Sequence, residues 1–284
     1  MALDQQQPQA SLESDEQIQI QEYKERVLSS YQRLHGEIYS LDPASFFVPS
    51  FLKAVTPNSE ENLKSIMVQS APGIYTFEML QPKFCEMLLE EVLHIEKWAH
   101  DSKSLIRRPG TLNTFGVVLD DFGFESMLQK LLEDFISPIS QVLFPEVCGS
   151  GLDSHHGYVV EYGEYRETDH VAYHMDDSEV TLNVCLGKDF SGGELYFRGV
   201  RCANHMDSEI GEEEHYDYPN VPGHAVLHRG SHRHGAKAIT SGIRANLIMW
   251  CRSSTFRATT SSRKDFPRWC AKCRVDRHNS KRPE

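Results

Sequence analysis

The chain has 284 residues, 39% of them hydrophobic and 25% charged, which excludes collagen-like, coiled-coil and wholly disordered proteins. Its net charge of −12 is uneven, because residues 261–284 carry eight Lys or Arg against three acidic residues, leaving −17 on the remainder. So acidic a body argues against a nucleic-acid partner, since phosphate contacts need clustered cations.

The chain shows no sign of a membrane or secretory segment. No window approaches the ~20 consecutive apolar residues of a membrane-spanning helix, so no membrane partner is expected. The first residues lack both a basic cluster and an apolar stretch, so no secretory signal is predicted. Seven cysteines, an odd number, then favour reduced thiols and a cytoplasmic or nuclear location over a disulfide framework.

The N-terminal half is predicted to be mainly helical. Residues 1–14, rich in Gln, Ser and Pro, are predicted to form a disordered tail. Apolar residues at helical spacing predict one amphipathic helix over residues 15–40. A second helix is expected to begin at Pro82, and a third to begin near Glu125 and to be limited by Pro138. Short strands are predicted between these helices, at residues 73–77 and 115–119.

Beyond residue 155 the pattern changes to short strands separated by Gly, Pro and Asp/Ser turns. They are predicted at residues 158–162, 180–186, 194–197, 225–228 and 244–251. Strands that follow a helical half predict an α+β protein with a β-sandwich or jelly-roll core and helices on one face. The acidic stretch 204–222 is predicted to be a surface loop.

A candidate metal-binding pair lies in the segment Tyr-His-Met-Asp-Asp at residues 173–177. His174 and Asp176, two positions apart on an extended segment, project from the same side, so an imidazole and a carboxylate can converge on one cation. An isolated His-x-Asp pair has low specificity, because fourteen histidines will place one near an aspartate by chance.

The segment 227–244 can complete this site. A further histidine would give the two-histidine, one-carboxylate face typical of non-haem Fe(II) oxygenases, which leaves open positions for a co-substrate and dioxygen. His228 on a predicted strand favours a core or pocket wall, whereas His232 in a polar turn favours surface exposure. Arg244, ten residues after His234, begins the next strand and offers a forked cation to a distant carboxylate.

The stretch from Tyr158 to Ser254 resembles the prolyl-4-hydroxylase-like branch of the Fe(II)- and 2-oxoglutarate-dependent oxygenases, and within it the 2-oxoglutarate and iron-dependent oxygenase domain-containing proteins of eukaryotes. The motifs that carry the resemblance occur in order: Y-V-V-E-Y, H-M-D-D-S-E-V-T-L-N-V-C-L-G, F-S-G-G-E-L-Y-F, P-G-H-A-V-L-H-R-G and H-G-A-K-A-I-T-S-G-I-R-A-N-L-I-M-W. Residues 113–123 also look like an upstream segment of this subgroup. The resemblance implies a double-stranded β-helix, or jelly roll, with flanking N-terminal helices.

The resemblance also implies the site residues and cofactors. Iron(II) would be held by His174, Asp176 and His234, with 2-oxoglutarate and O2 as co-substrates and ascorbate as an assisting reductant. Arg244 would pair with the C5 carboxylate of 2-oxoglutarate. Tyr162 would line the 2-oxoglutarate pocket, with a core aromatic as the alternative. Asn183 should point inward and hydrogen-bond the co-substrate, with a satisfied interior amide as the alternative. Cys185 departs from relatives that carry a tyrosine there.

The expected organisation is a single oxygenase domain over residues 41–260, with its jelly-roll core at about 155–254 and a basic C-terminal tail at 261–284. The expected reaction is hydroxylation of a substrate C–H, first a peptidyl, prolyl-type side chain, with release of succinate and CO2. The alternatives are an oxygenase of a small metabolite or nucleobase and a non-catalytic metal-binding module, since fold and metal site do not specify substrate.

The tail contains a Cys-x-x-Cys pair, Cys270 and Cys273, with His278 five residues beyond. A structural zinc site needs four ligands and this segment supplies at most three, so Cys202 or Cys251 would have to contribute another. Free thiols in a loose tail are the favoured interpretation.

Overall fold

Two antiparallel sheets pack face to face and contain most of the second half of the chain. The computed structural model describes residues 7–57, 59–109, 116–148, 150–163, 171–187, 189–205, 207–209, 211–259 and 270–280. The strands are β1 (Val68–Ala71), β2 (Ile74–Glu78), β3 (Gly116–Val118), β4 (Ser154–Gly163), β5 (Val171–His174), β6 (Val180–Gly187), β7 (Phe190–Gly192), β8 (Leu195–Val200), β9 (His215–Tyr218), β10 (His224–Arg229), β11 (His232–Ala236) and β12 (Ile239–Arg252).

The larger sheet has the order β1-β2-β10-β6-β12-β4-β3, with β7 paired to β12, and the smaller sheet has the order β5-β11-β8-β9. Side chains from both sheets form one apolar cluster between them, including Tyr162, Phe197 and Ile248. The opposite face of the larger sheet packs against the helices in a second, larger cluster. This arrangement is the predicted α+β fold with a double-stranded β-helix core.

Eight of the α-helices in the described residues precede β4 and alternate with β1, β2 and β3, and two more lie at the C-terminal end. They are α1 (Gln7–Ser30), α2 (Pro43–Phe46), α3 (Pro49–Val55), α4 (Glu60–Ile66), α5 (Pro82–Asp101), α6 (Glu125–Leu131), α7 (Ser137–Leu143), α8 (Pro145–Cys148), α9 (Ser254–Thr259) and α10 (Ala271–Asn279). Pro82 occupies the first turn of α5, as predicted, where its missing N–H would have no intrahelical partner. In the described residues, no helix is long and apolar enough to cross a membrane.

The first helix differs from the prediction at both ends. It begins at Gln7, inside the stretch predicted to be disordered, while residues 1–6 lie outside the described residues. It ends at Ser30 rather than near residue 40, because the buried carboxylate of Glu91 accepts hydrogen bonds from the backbone N–H groups of Leu34 and His35. Those N–H groups could not also serve a continuing helix.

Pro138 does not end the third helix as predicted. The chain passes from α6 through a π-helical turn, Leu132–Ile136, into α7, which contains Pro138 in its first turn. A π turn shifts the hydrogen-bond register, so the N–H that proline lacks is not needed at that point.

Two predictions for the second half also need correction. The acidic stretch 204–222 is not wholly a loop, because β9 lies within it and pairs with β8. The described part of the C-terminal tail is not loose, since residues 271–279 form α10. The predicted strands at 158–162, 180–186, 225–228 and 244–251 all lie within observed strands. Residues 113–115 of the upstream motif lie outside the described residues.

Candidate metal centre and co-substrate site

Two histidines and an aspartate converge at one end of the smaller sheet. His174 closes β5 and lies directly opposite His234 of β11, while Asp176 follows two residues later. One donor atom from each lies within 4.8 Å of the others. The Nε2 atoms of His174 and His234 are 3.4 and 3.5 Å from the two oxygens of Asp176. The fold therefore brings together His174 and Asp176 of the sequence motif and His234, the third ligand that the resemblance implies.

Backbone carbonyls orient both imidazoles. Nδ1 of His174 is 2.7 Å from the carbonyl oxygen of Ala172, and Nδ1 of His234 is 2.8 Å from that of His232. A carbonyl only accepts, so each Nδ1 carries a proton and Nε2 is the nitrogen that a cation could bind. Such a second hydrogen bond is the usual support for a metal-binding histidine. Burial lowers the pKa of His174, but the contact with Asp176 outweighs burial and raises that pKa above its ordinary value.

The protonation states suit a cation. Burial raises the carboxyl pKa of Asp176, but the nearby His234 and His174 outweigh burial and hold that pKa below its ordinary value. Burial lowers the pKa of His234 to about 3, so its ring is neutral at neutral pH. A carboxylate and a neutral imidazole are the forms in which these residues bind metals.

Asp176 is held by two contacts that sequence reasoning did not identify. The hydroxyl of Thr181 donates to Oδ2 of Asp176 at 2.7 Å, and the backbone N–H of Asp176 donates to the carbonyl of Gly230 at 2.9 Å. Thr181 lies five residues after Asp176, across a turn, and Gly230 lies in the distant turn between β10 and β11. Strand alternation places Thr181 on the same face of β6 as Asn183, but it does not identify the partner of the hydroxyl.

The other two histidines of the motif line the site without joining the cluster of donor atoms. His228 is fully buried and its ring centroid lies 4.7 Å from that of His234, which agrees with the predicted pocket wall. His232 is also buried, so its predicted surface exposure is wrong. It begins β11 rather than ending a turn, and its ring packs edge-on against Phe197.

Arg244 is a buried cation with unused donors. It lies on β12 opposite Tyr162 of β4, and its guanidinium is 4.3 Å from the centroid of that ring. The side chain is fully buried, and Nη1 donates to the carbonyl of Gly193. Among the described residues, Nε and Nη2 have no partner with good hydrogen-bond geometry, and the Tyr162 side chain is the polar group that interacts with the guanidinium. Burying a charged group without full pairing is costly, so this arrangement is typical of a site that receives an anionic ligand.

The neighbours of Arg244 leave that charge in place. Burial raises the pKa of the Cys185 thiol to about 11, so this residue is neutral and cannot offset the guanidinium. Gly193 has φ of 72°, and a Cβ there would lie 2.9 Å from Nη1 of Arg244. The absence of a side chain at Gly193 therefore allows the close approach of Arg244 to the backbone.

Tyr162 lies within range of both parts of the site. Burial raises its pKa, Arg244 opposes that rise and the charge of Asp176 adds to it. Its ring belongs to the apolar cluster between the sheets. Arg244, through Tyr162, and His234, through Phe197, therefore both border the same inter-sheet core.

Asn183 lies in the same core with a protein partner. Its Oδ1 accepts from Nδ2 of Asn246 at 2.6 Å, and the same Nδ2 is 3.1 Å from Oδ1 of Asn220. Asn220 in turn donates to the carbonyl of Gly193 at 2.9 Å. The asparagines thus form a chain of hydrogen bonds that ends at the carbonyl which also accepts from Arg244. Asn220 and Asn246 were not predicted, because only the fold brings their distant segments together.

Comparison with known proteins places the chain in a family. Residues 27–149, the helical half, match the OGFOD2-like domain. The 2-oxoglutarate and iron-dependent oxygenase domain-containing protein ICU11 of Arabidopsis thaliana is 66% identical over 265 residues, covering 93% of this chain and 66% of that protein. The chain belongs to the 2-oxoglutarate and iron-dependent oxygenase domain-containing proteins. It spans about two thirds of the length of these curated relatives.

Members of this family outside plants and a solved structure agree. The 2-oxoglutarate and iron-dependent oxygenase domain-containing protein 2 of Homo sapiens is 37% identical over 243 residues, covering 82% of this chain and 66% of that protein. A crystal structure of a prolyl 4-hydroxylase from Phytophthora capsici superposes with a TM-score of 0.50 at 13% identity, covering 74% of this chain and 67% of that one. At this identity the likeness concerns the fold alone.

Proposed function

We propose that the chain is an Fe(II)- and 2-oxoglutarate-dependent dioxygenase that hydroxylates a substrate C–H and releases succinate and CO2. The observation that carries the proposal is the buried guanidinium of Arg244, with two unused donors, in the same inter-sheet core as His174, Asp176 and His234. A metal site alone would fit many proteins, whereas a cation set back from it fits a dicarboxylate co-substrate.

The three donor residues fit ferrous iron. His174 and His234 would each present Nε2, with the tautomer held by a backbone carbonyl. Asp176 would present a carboxylate that accepts a hydrogen bond from the hydroxyl of Thr181. Bound iron with 2-oxoglutarate and O2 supplies the oxidising power for an unactivated C–H bond. The protein's own contribution is to place that chemistry in a core from which apolar side chains such as Phe197 exclude water.

Arg244 would select the co-substrate by charge and shape. Its fork can donate two parallel hydrogen bonds to the far carboxylate of a five-carbon dicarboxylate, which would satisfy the two nitrogens that lack partners. Tyr162 would support the guanidinium through its ring face. Asn183 would act at one remove, by fixing Asn246 and through it the turn that contacts Arg244, rather than by touching the co-substrate.

For the substrate class we propose a peptidyl side chain. The multifunctional procollagen lysine hydroxylase and glycosyltransferase of Caenorhabditis elegans is 24% identical over 213 residues, covering 72% of this chain and 26% of that protein. On this chain, β5 is an edge of the smaller sheet and Tyr173 on it is 37% exposed beside His174. A strand edge with an aromatic side chain suits an extended peptide better than a free metabolite.

The first experiment measures succinate and CO2 from 2-oxoglutarate with Fe(II), with and without ascorbate, in the full chain and in Asp176→Ala. The proposal expects release by the wild type alone. No release by a folded, iron-loaded wild type, even with candidate substrates present, would favour the non-catalytic metal-binding module. Stimulation by peptide pools rather than by metabolites or nucleobases, with a peptide gaining one oxygen atom by mass spectrometry, would support the peptidyl substrate.

A further inference from the structure

A second cluster of metal-binding side chains lies away from the candidate iron site. Cys202 and His205 follow β8, whereas Cys270 and Cys273 belong to the C-terminal segment that contains α10. One donor atom from each of the four lies within 4.8 Å of all the others. The fold thus brings three thiols and one imidazole together from two segments that lie about seventy residues apart in sequence.

The spacing of the donor atoms matches a tetrahedron. Nδ1 of His205 lies 3.3 Å from Sγ of Cys202, 3.5 Å from Sγ of Cys270 and 3.2 Å from Sγ of Cys273. The sulfurs of Cys202 and Cys273 are 3.7 Å apart. Around a zinc ion with Zn–S bonds of about 2.3 Å and a Zn–N bond of about 2.0 Å, tetrahedral neighbours lie about 3.5–3.8 Å apart. A disulfide would require about 2.0 Å.

The outer contacts also suit a metal. Nε2 of His205, the ring nitrogen that faces away from the thiols, lies 3.6 Å from a carboxylate oxygen of Asp276 on α10. A carboxylate behind a histidine is a common support for zinc, because it fixes the ring and strengthens the ligand. His278, the histidine closest to this pair in sequence, is exposed and is not among the clustered residues.

Apolar packing does not explain how α10 is held. None of its nine residues is buried, whereas Cys270 just before it is fully buried. A short polar helix is not stable by itself in water. A metal bridge would supply the missing attachment, as it does in small domains that fold around zinc.

We propose that Cys202, His205, Cys270 and Cys273 bind one structural Zn²⁺ that fastens α10 to the segment after β8. With four protein ligands the site is closed, so it is structural rather than catalytic. The helix that it would fasten borders the core, since Ala271 and Arg274 of α10 line a cavity that His232 also lines. His232 is the residue whose carbonyl orients His234.

The test is the zinc content of the purified full chain, measured by mass spectrometry in an Asp176→Ala background so that the candidate iron site cannot retain zinc. The expected result is about one zinc ion per chain, lost in Cys273→Ser and in His205→Ala and retained in His278→Ala, a matched change in the same helix. The proposal would be overturned if zinc stays bound after Cys273→Ser, or if the reduced Asp176→Ala protein with no further change contains no zinc.

A second measurement guards against variants that misfold. Cobalt(II) that replaces zinc in the otherwise unchanged chain should give the thiolate charge-transfer and ligand-field bands of a tetrahedral site. Removal of the metal by a chelator should make α10 cleavable by trypsin at Arg274 and Arg277, while the circular dichroism signal of the sheets persists. A mass loss of two hydrogens under native conditions, from a Cys202–Cys273 or Cys270–Cys273 disulfide, would instead identify a redox pair and exclude the metal.

Discussion

The two sheets of the core are supported in different ways. The larger sheet is buried on both faces, by the helices on one side and by the smaller sheet on the other. The smaller sheet has strands of four to six residues, and its connections are held by polar contacts such as the ion pair of the buried Arg201 with Glu214. Arg244 belongs to the larger sheet, and His174 and His234 belong to the smaller sheet.

This difference shows how stability and chemistry are divided. Apolar burial in the larger sheet is spread over many side chains, so it tolerates an isolated polar residue such as Arg244. The smaller sheet depends on few and specific contacts, and it carries the donor atoms near its edge, where substrate can approach. Changes at the donor atoms should therefore remove function with little loss of fold.

The largest effect is expected at the metal ligands. Asp176→Ala or His174→Ala should abolish Fe(II)-dependent succinate release, because each removes one of three protein donors, while thermal unfolding stays cooperative. Iron stoichiometry and turnover are measured together. A variant that keeps full activity and full iron content would refute the assignment and place the chemistry elsewhere.

Arg244 tests whether the larger sheet contributes to co-substrate choice. Truncating one partner of a buried charge-assisted pair costs on the order of 2–5 kcal/mol, so Arg244→Ala should weaken 2-oxoglutarate binding tens-fold to thousands-fold. Lysine should restore only part of it, because a point charge cannot reproduce the fork. Calorimetric titration of metal-loaded protein decides this, and iron affinity should be nearly unchanged. Equal 2-oxoglutarate affinities would remove the carboxylate-clamp role.

Glu91 tests the helical support of the larger sheet. Its buried carboxylate accepts from the hydroxyls of Tyr31 at 2.5 Å and Tyr39 at 2.7 Å and from the N–H of His35 at 2.7 Å. Glu91→Gln should lower the free energy of unfolding by about 1–3 kcal/mol, because an amide satisfies these donors less well. Urea unfolding at neutral pH measures the loss, and Glu86→Gln, an exposed position on the same helix, is the control.

The same carboxylate predicts a pH dependence. Burial raises the pKa of Glu91, but hydrogen bonds from Tyr31 and Tyr39 outweigh it and hold the pKa below its ordinary 4.5. A carboxyl whose folded pKa is depressed stabilises the fold above its unfolded pKa, and that contribution is lost as pH falls through the folded pKa. The difference between wild type and Glu91→Gln should therefore shrink below about pH 4. A constant difference would show that the charge is not responsible.

The smallest effect is expected at the N-terminus. Deleting residues 1–14 should leave turnover of 2-oxoglutarate unchanged, because the first buried side chain described in α1 is Val27. Turnover and soluble yield of the truncated chain are compared with the full chain. Loss of iron or of soluble protein would mean that the start of α1 supports the fold.

Much of the double-stranded β-helix was predictable because its signals are local. Buried strands such as β6 and β12 are visible in the sequence as apolar runs bounded by turns. The helix α5 is indicated by Pro82 at its start and by its apolar face. The donor residues His174 and Asp176 were predictable for the same reason, since their spacing on one extended segment sets their direction.

The sequence by itself therefore determined the α+β class, the main strands and the pair His174 and Asp176, because side-chain periodicity and motif spacing act over a few positions. The choice of His234 and of a double-stranded β-helix came from the family resemblance. Tertiary structure alone decided where α1 ends, how the chain passes Pro138 and which partners surround Asn183. It also brought His205 and Cys202 to Cys270 and Cys273. Each of these depends on groups that are distant along the chain and become neighbours only when the sheets and helices pack, so no local pattern encodes them.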